Sequence, residues 1–185
     1  METAIVVPLE GLAANPVTRD PIDLELLFAQ WAVRGAQSAP GMPLHVTLLT
    51  PFVDHASLAT GMFDQIQAVL SMWQPFDCNL GSIQIFPGSP RIAWIDPEPH
   101  EPFVEMTRAL MTAFPGYLPY SGEHGSAITP HVTIAKELEG VDFPGLLELI
   151  ASDLPIRTTV RRFSVFRLNG DRWELLATRS LGIRS

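Results

Sequence analysis

A chain that carries the same short chemical phrase twice has to place two similar pieces of backbone in similar surroundings. His45-Val46-Thr47-Leu48 and His131-Val132-Thr133-Ile134 both read His-x-Thr followed by an aliphatic residue, in a chain of 185 residues with five histidines. The second copy begins 131 − 45 = 86 residues after the first, near the matching point of the other half. Equal placement of a repeated phrase is the mark of a duplicated unit. Two similar α/β lobes that share a cleft are therefore expected.

The surrounding pattern supports two matching halves. Ala4 to Leu9 is a short apolar run that suits a buried strand. Asp20-Pro21 offers a helix N-cap and a first-turn proline, and Leu24, Leu27, Phe28 and Trp31 recur at helical spacing before Gly35. The run Leu44–Leu49 holds the first phrase and closes at Pro51. From Ser57 to Trp73 the apolar positions fall on one helical face. Strands are expected over Asn79–Phe86 and Arg91–Ile95, separated by the turn Pro87-Gly88-Ser89-Pro90.

Pro102 then opens a second-half helix with Phe103, Met106, Leu110 and Phe114 toward the core, followed by a Gly- and Tyr-rich loop from Pro115 to Pro130 that reads as a lid. The second phrase lies on a strand over 128–135, and Asp142 with Pro144 introduces a helix through Ile150. One strand from Thr158 to Leu168, the Asn169-Gly170 turn and a strand Trp173–Ala177 finish the chain. Arg91–Ile95 is the candidate first strand of the second half, and crossovers through the helices are expected to be right-handed. A single domain over 1–185 is expected, with its lobes built around 44–49 and 128–135.

Composition narrows the function. A formal net charge of −8 argues against gripping long duplex nucleic acid through a general field of lysines and arginines, while leaving room for a small or terminal phosphate. The lone Cys78 permits no internal disulfide and, with no His or Lys beside it, reads as a core residue. The N-terminus lacks a signal-peptide pattern and no apolar run approaches the length of a membrane span, so a soluble, cytoplasmic, monomeric protein without a membrane partner is expected.

On a strand, residues i and i+2 share a face, so His45 points with Thr47 and His131 with Thr133, while Val46, Leu48, Val132 and Ile134 face the other way. If the halves are related by a pseudo-two-fold axis, both His-Thr pairs meet across one cleft. Two imidazoles around one phosphorus suit general acid–base chemistry, one taking a proton from the attacking oxygen and the other giving one to the leaving oxygen. The two threonine hydroxyls can hold non-bridging oxygens. No cofactor or metal is required, and Asp54 with His55 lacks accepted zinc spacing. Taken singly, a strand histidine is more often structural; it is the matched repetition that makes these candidates. His55, His100 and His124 read as loop residues, with His124 able to approach the cleft. Phe52 and Trp94 read as core, and Arg161, Arg162 and Arg167 as a solvated strand face.

The two phrases and the order around them resemble the 2H phosphoesterase superfamily, and within it the 2′-5′ RNA ligase and RNA 2′,3′-cyclic phosphodiesterase-like proteins. The stretch Phe114–Gly122 leading to Thr129-Pro130-His131-Val132-Thr133 is similar to the second-half signature of bacterial members. The resemblance implies an α+β fold, with two pseudo-symmetric α/β lobes of antiparallel-rich sheets around a central cleft, and a metal-independent opening of a 2′,3′-cyclic phosphate on an RNA end or small nucleotide, with reversible 2′-5′ joining in some relatives. It implies His45 as proton donor, His131 as acceptor, and Thr47 and Thr133 on the phosphate, with donor and acceptor exchanged in the reverse reaction. Many relatives place an arginine four residues after each histidine; here those positions are Leu49 and Ala135. Lys136 has the wrong parity unless its strand ends or bulges. Lys136, Arg91, Tyr117 and Tyr120 are the further candidate ligand contacts. The alternatives are hydrolysis of another cyclic or linear phosphodiester, and a catalytically quiet nucleotide-binding module.

Overall fold

The computed structural model describes residues 2–58, 60–123 and 127–182. Among the described residues ten strands form two sheets, and every strand pairing is antiparallel. The right-handed crossover rule governs parallel neighbours, so it finds no application here.

The first sheet has the order β10-β9-β1-β4, from Arg172–Ser180, Arg162–Asn169, Thr3–Pro8 and His45–Leu49. The second has the order β3-β2-β8-β5-β6-β7, from Pro21–Asp23, Leu12–Ala14, Ile156–Val160, Phe76–Phe86, Ile92–Glu98 and Val132–Lys136. β4 and β7 are therefore edge strands, and they approach one another across the cleft. β6, the former candidate over 91–95, does open the second half.

The two halves exchange strands, so each sheet contains strands from both. β5 belongs to the first half yet pairs with β6, and β9 belongs to the second half yet pairs with β1. The helices follow the same exchange. α3 (Glu101–Ala113) packs against β4 and α2 (Thr60–Leu70), while α1 (Leu24–Val33) packs against α4 (Phe143–Asp153), which lies on β5. One hydrophobic cluster consequently contains Ile5, Val46 and Leu48 from the first sheet together with Ile95, Val132 and Ile134 from the second. Trp31 is almost fully buried in it, and its indole N–H donates to Asp153 Oδ2 at 2.8 Å, tying α1 to the end of α4. Burial of this kind is the main favourable contribution to the fold.

Local signals placed the starts of α3 and α4. The Asp142 carboxylate accepts from the Gly145 N–H at 3.1 Å, and Pro102 sits in the first turn of α3. The start of α1 differs from expectation: Asp23 is the cap, accepting from the Leu26 N–H at 2.9 Å. Asp20-Pro21 comes too early because Pro21–Asp23 is drawn into pairing with Leu12–Ala14. The helix expected over 57–73 is shorter, with a 3-10 turn at His55–Ser57 before α2. The stretch 158–168 is also two strands. Exposed Arg161 separates β8 from β9, and the two lie in different sheets. Cys78 is a core residue, and burial pushes its thiol up to about 12, with Asp96 adding to the rise. His124 lies outside the described residues.

Candidate active site

The two phrases carry the same irregularity. On β4 the register runs Val6↔Thr47 and then Ile5↔Leu49, leaving Leu48 as an extra residue. On β7 it runs Trp94↔Thr133 and then Ala93↔Ala135, leaving Ile134 extra. A β-bulge of this sort lets two successive side chains turn to one side. Leu48 and Leu49 are both buried, as are Ile134 and Ala135.

The bulges settle the parity of the residues beyond them. Leu49 and Ala135 turn into the core and away from the cleft, although they stand four residues after their histidines. Lys136 pairs with Ile92, which shares a side with Trp94 and Thr133, so the bulge brings Lys136 round to the cleft face. Its side chain is exposed there.

Both histidines are held in the same way. Nδ1 of His45 donates to the Pro43 carbonyl at 2.8 Å, and Nδ1 of His131 donates to the Thr129 carbonyl at 2.8 Å. Each ring is thus fixed by the residue two positions before it, which sets the neutral tautomer with Nε2 as proton acceptor. His45, Thr47, His131 and Thr133 are all half-buried, and their alternate neighbours Val46, Leu48, Val132 and Ile134 are buried. Burial holds the His45 pKa below its ordinary value of 6.5; the Pro43 carbonyl opposes this, and the charge of His131 reinforces it. The two imidazoles are therefore close enough to sense one another across the β4–β7 gap. Such a pair can accept a proton on one side of a bound group and supply one on the other, with the hydroxyls beside them as donors to oxygen.

The further candidates separate clearly. Tyr120 enters the cleft: its hydroxyl lies 3.5 Å from His131 Nε2 and also bonds with Thr47. Burial raises its pKa, and the Thr47 bond opposes the rise. Tyr117 instead packs against core Phe52, with ring centroids 4.9 Å apart. Arg91 does not join the cleft. Its Nε and Nη2 bond both carboxylate oxygens of Glu137 at 2.7 Å, and its guanidinium lies over Phe143 of α4, on the helix side of the sheet. A residue one position before cleft-facing Ile92 must point the other way. Arg162 pairs with Glu10 and Arg167 with Glu174.

Two aromatic residues join the site that the sequence reading left out of it. Phe86 stacks on Trp94 at 4.9 Å, and both rings meet His131 near edge-on, at 5.1 and 6.0 Å. Trp94 is buried as expected, but on the cleft side of β6 opposite Thr133. Its Nε1 has no hydrogen-bond partner among the described residues. The alternation Ala93/Ile95 against Ile92/Trp94, and Ile83/Ile85 against Gln84/Phe86, carried the signal for both. Among the described residues no three His, Cys, Asp or Glu side chains converge as a metal-holding group, and no helix is long and apolar enough to cross a membrane.

A model of the 2′-5′ RNA ligase superfamily matches residues 19–172. Among solved structures, TT0787 of Thermus thermophilus is similar over 100% of both chains, with a TM-score of 0.62 at 19% identity. LigT of E. coli complexed with 3′-AMP is similar over 97% of both chains, with a TM-score of 0.53 at 14% identity. A structure described as a phosphoesterase matches over 98% of both chains, at TM-score 0.52 and 12% identity. At these identities the structural likeness speaks to the fold. A search of curated proteins finds no match. The family match spans most of the chain and encloses both bulged His-x-Thr strands, and the chain belongs to the 2′-5′ RNA ligase superfamily of 2H phosphoesterases.

Proposed function

We propose that this protein is a metal-independent phosphodiesterase that opens a 2′,3′-cyclic phosphate of an RNA end or small nucleotide by two-histidine acid–base catalysis. Membership of the superfamily supports a phosphodiesterase- or ligase-type activity. The observation that carries the finer reading is the matched pair of Nδ1–carbonyl bonds, which commits both imidazoles to work through Nε2 beside a threonine hydroxyl. Structures of E. coli LigT complexed with 3′-AMP and with NADP+ support a nucleotide as the ligand.

In this reading the phosphate sits between the two His-Thr pairs. Nε2 of one histidine takes the proton of the attacking water, and Nε2–H of the other protonates the leaving ribose oxygen as the P–O bond breaks. Thr47 and Thr133 donate to the non-bridging oxygens, and Lys136 offers a cation at the rim. The reverse direction exchanges the two roles, which would permit joining as well as opening. Thr and Lys contacts hold the phosphate in line, which lowers the barrier by restricting its motion before reaction. A single unit with lobes around 44–49 and 128–135 fits this reading, because each sheet holds strands from both halves.

The direct test is turnover of a nucleoside 2′,3′-cyclic phosphate in the presence of EDTA. Product formation is expected; measurable nucleotide binding without turnover would reduce the protein to a binding module. Turnover of a different cyclic phosphodiester in preference would redirect the substrate but keep the chemistry.

A pH prediction follows from His45. Catalysis needs one protonated and one neutral imidazole, so kcat/KM is bell-shaped. The acid limb marks loss of the first proton from the doubly charged pair, and the lowered pKa of His45 places that limb below pH 6.5. An acid limb above 6.5 would contradict this account. Stability follows the same linkage. The unfolded chain protonates His45 near 6.5 while the folded protein resists, so this residue destabilises the fold only as pH falls below that value.

A further inference from the structure

We infer that Tyr120 gates the cleft: its phenol and the phosphate of the ligand compete for one position between the two phrases. The inference rests on reading the cleft as a phosphate site. The hydroxyl of Tyr120 reaches His131 Nε2 at 3.5 Å and bonds with Thr47, joining the proton-transfer atom of one phrase to the phosphate-holding hydroxyl of the other. A phosphate oxygen held by Thr47 within reach of His131 must occupy that same place. The ring lies nearly parallel to the imidazole, with an interplanar angle of 26° and centroids 6.3 Å apart.

The backbone around the phenol is built to hold it and to let it go. The Tyr120 N–H donates to the Thr50 carbonyl at 2.5 Å, fixing the loop to the end of β4. Tyr120 (φ 51°, ψ 38°) and Ser121 (φ 54°, ψ 21°) are successive non-glycine residues in the left-handed region. Such conformations are sparsely populated and persist only while their surroundings enforce them. Tyr117, three residues earlier, is anchored against Phe52 and Phe52 against Phe114, which leaves the movement to residues 118–121. Tyr117 thus acts as the fixed end and Tyr120 as the movable one. A ligand that replaces the phenol at Thr47 and His131 releases both strained residues.

The test uses inorganic phosphate as the probe and the full chain. Tyr120→Phe keeps the ring and removes the competing hydroxyl, so phosphate should bind about 3- to 10-fold more tightly by calorimetry, the size expected for losing one modest hydrogen bond to be displaced. In the unaltered protein, phosphate should also speed hydrogen exchange at the Tyr120 amide as its bond to Thr50 opens. Equal or weaker phosphate binding by the Phe variant overturns the gate, as does an unchanged exchange rate at saturating phosphate. Weaker binding would make the phenol a ligand contact. The gate and the proposed activity fail separately: tighter phosphate binding without cyclic-phosphate turnover keeps the first and removes the second.

Discussion

His45→Ala and His131→Ala should each lower kcat for a 2′,3′-cyclic phosphate by about 10²- to 10⁴-fold, the range that removal of a positioned acid or base produces. The expectation is a loss of chemistry with the fold retained, because both rings sit half-buried at the cleft and the surrounding core is made by their alternate neighbours. The double variant should lose much less than the product of the two single losses, since the histidines act on one transition state as a unit. A control separates proton transfer from positioning. His131→Asn keeps a side-chain N–H able to reach the Thr129 carbonyl, yet has no group in place of Nε2. It should be as inactive as the alanine variant. Single-turnover rates with circular dichroism on each variant make the measurement; a variant within about threefold of the parent rate would show that its histidine has no share in the reaction.

The second large effect concerns stability. Leu48→Ala and Ile134→Ala should each cost about 2–5 kcal/mol, the usual range for truncating a fully buried aliphatic side chain. These two residues are the extra members of the bulges, and each lies immediately after the threonine of its phrase. Truncation leaves a cavity under the bulge and weakens the reason for Leu48 and Leu49, or Ile134 and Ala135, to turn inward together. The Ile134 carbonyl also accepts the Gln37 N–H at 2.7 Å, linking the loop before β4 to the strand of the other phrase. Ile134→Ala should therefore lower kcat of the folded protein as well as its urea midpoint, through misplacement of Thr133. A cost below about 1 kcal/mol in either variant would mean that the bulges are held by the backbone and not by these side chains.

These expectations differ in how far they could be read from the residues. The histidine prediction stands on the phrases alone, because strand parity is a local property: a side chain two residues along points the same way whatever the strand pairs with. For the same reason the helices announced themselves through Asp142 and Pro102, and the Asn169-Gly170 turn joins β9 to β10 as read, with Gly170 at φ 65°. Local readings fail where two strands compete for one stretch of chain. Asp20-Pro21 looks like a helix start until Pro21–Asp23 finds a partner in Leu12–Ala14. The alternation from Thr158 to Leu168 runs on through Arg161 although the strands on either side belong to different sheets.

The site shows the same division. Tyr117 and Tyr120 were indistinguishable as letters in one loop; contact with Phe52 sends the first into the core, and contact with Thr47 and His131 brings the second to the cleft. Arg91 was excluded by Glu137 and Phe143, which lie 46 and 52 positions further along. Phe86 and Trp94 could have been recovered, since their parity opposite Ile85 and Ile95 was already on the sequence.

The sequence by itself determined that two His-Thr pairs would share strand faces, that aliphatic neighbours would bury beneath them, and that the chain would form two related lobes. Those results depend on periodicity, which neighbouring residues encode. Only the tertiary structure decided that the halves exchange β5 and β9, that both phrase strands bulge, that Lys136 turns to the cleft, and that Tyr120 reaches between the phrases. Each of these depends on which distant strand supplies the hydrogen-bond partner, and a pattern of apolar and polar residues specifies the face of a strand without naming its neighbour.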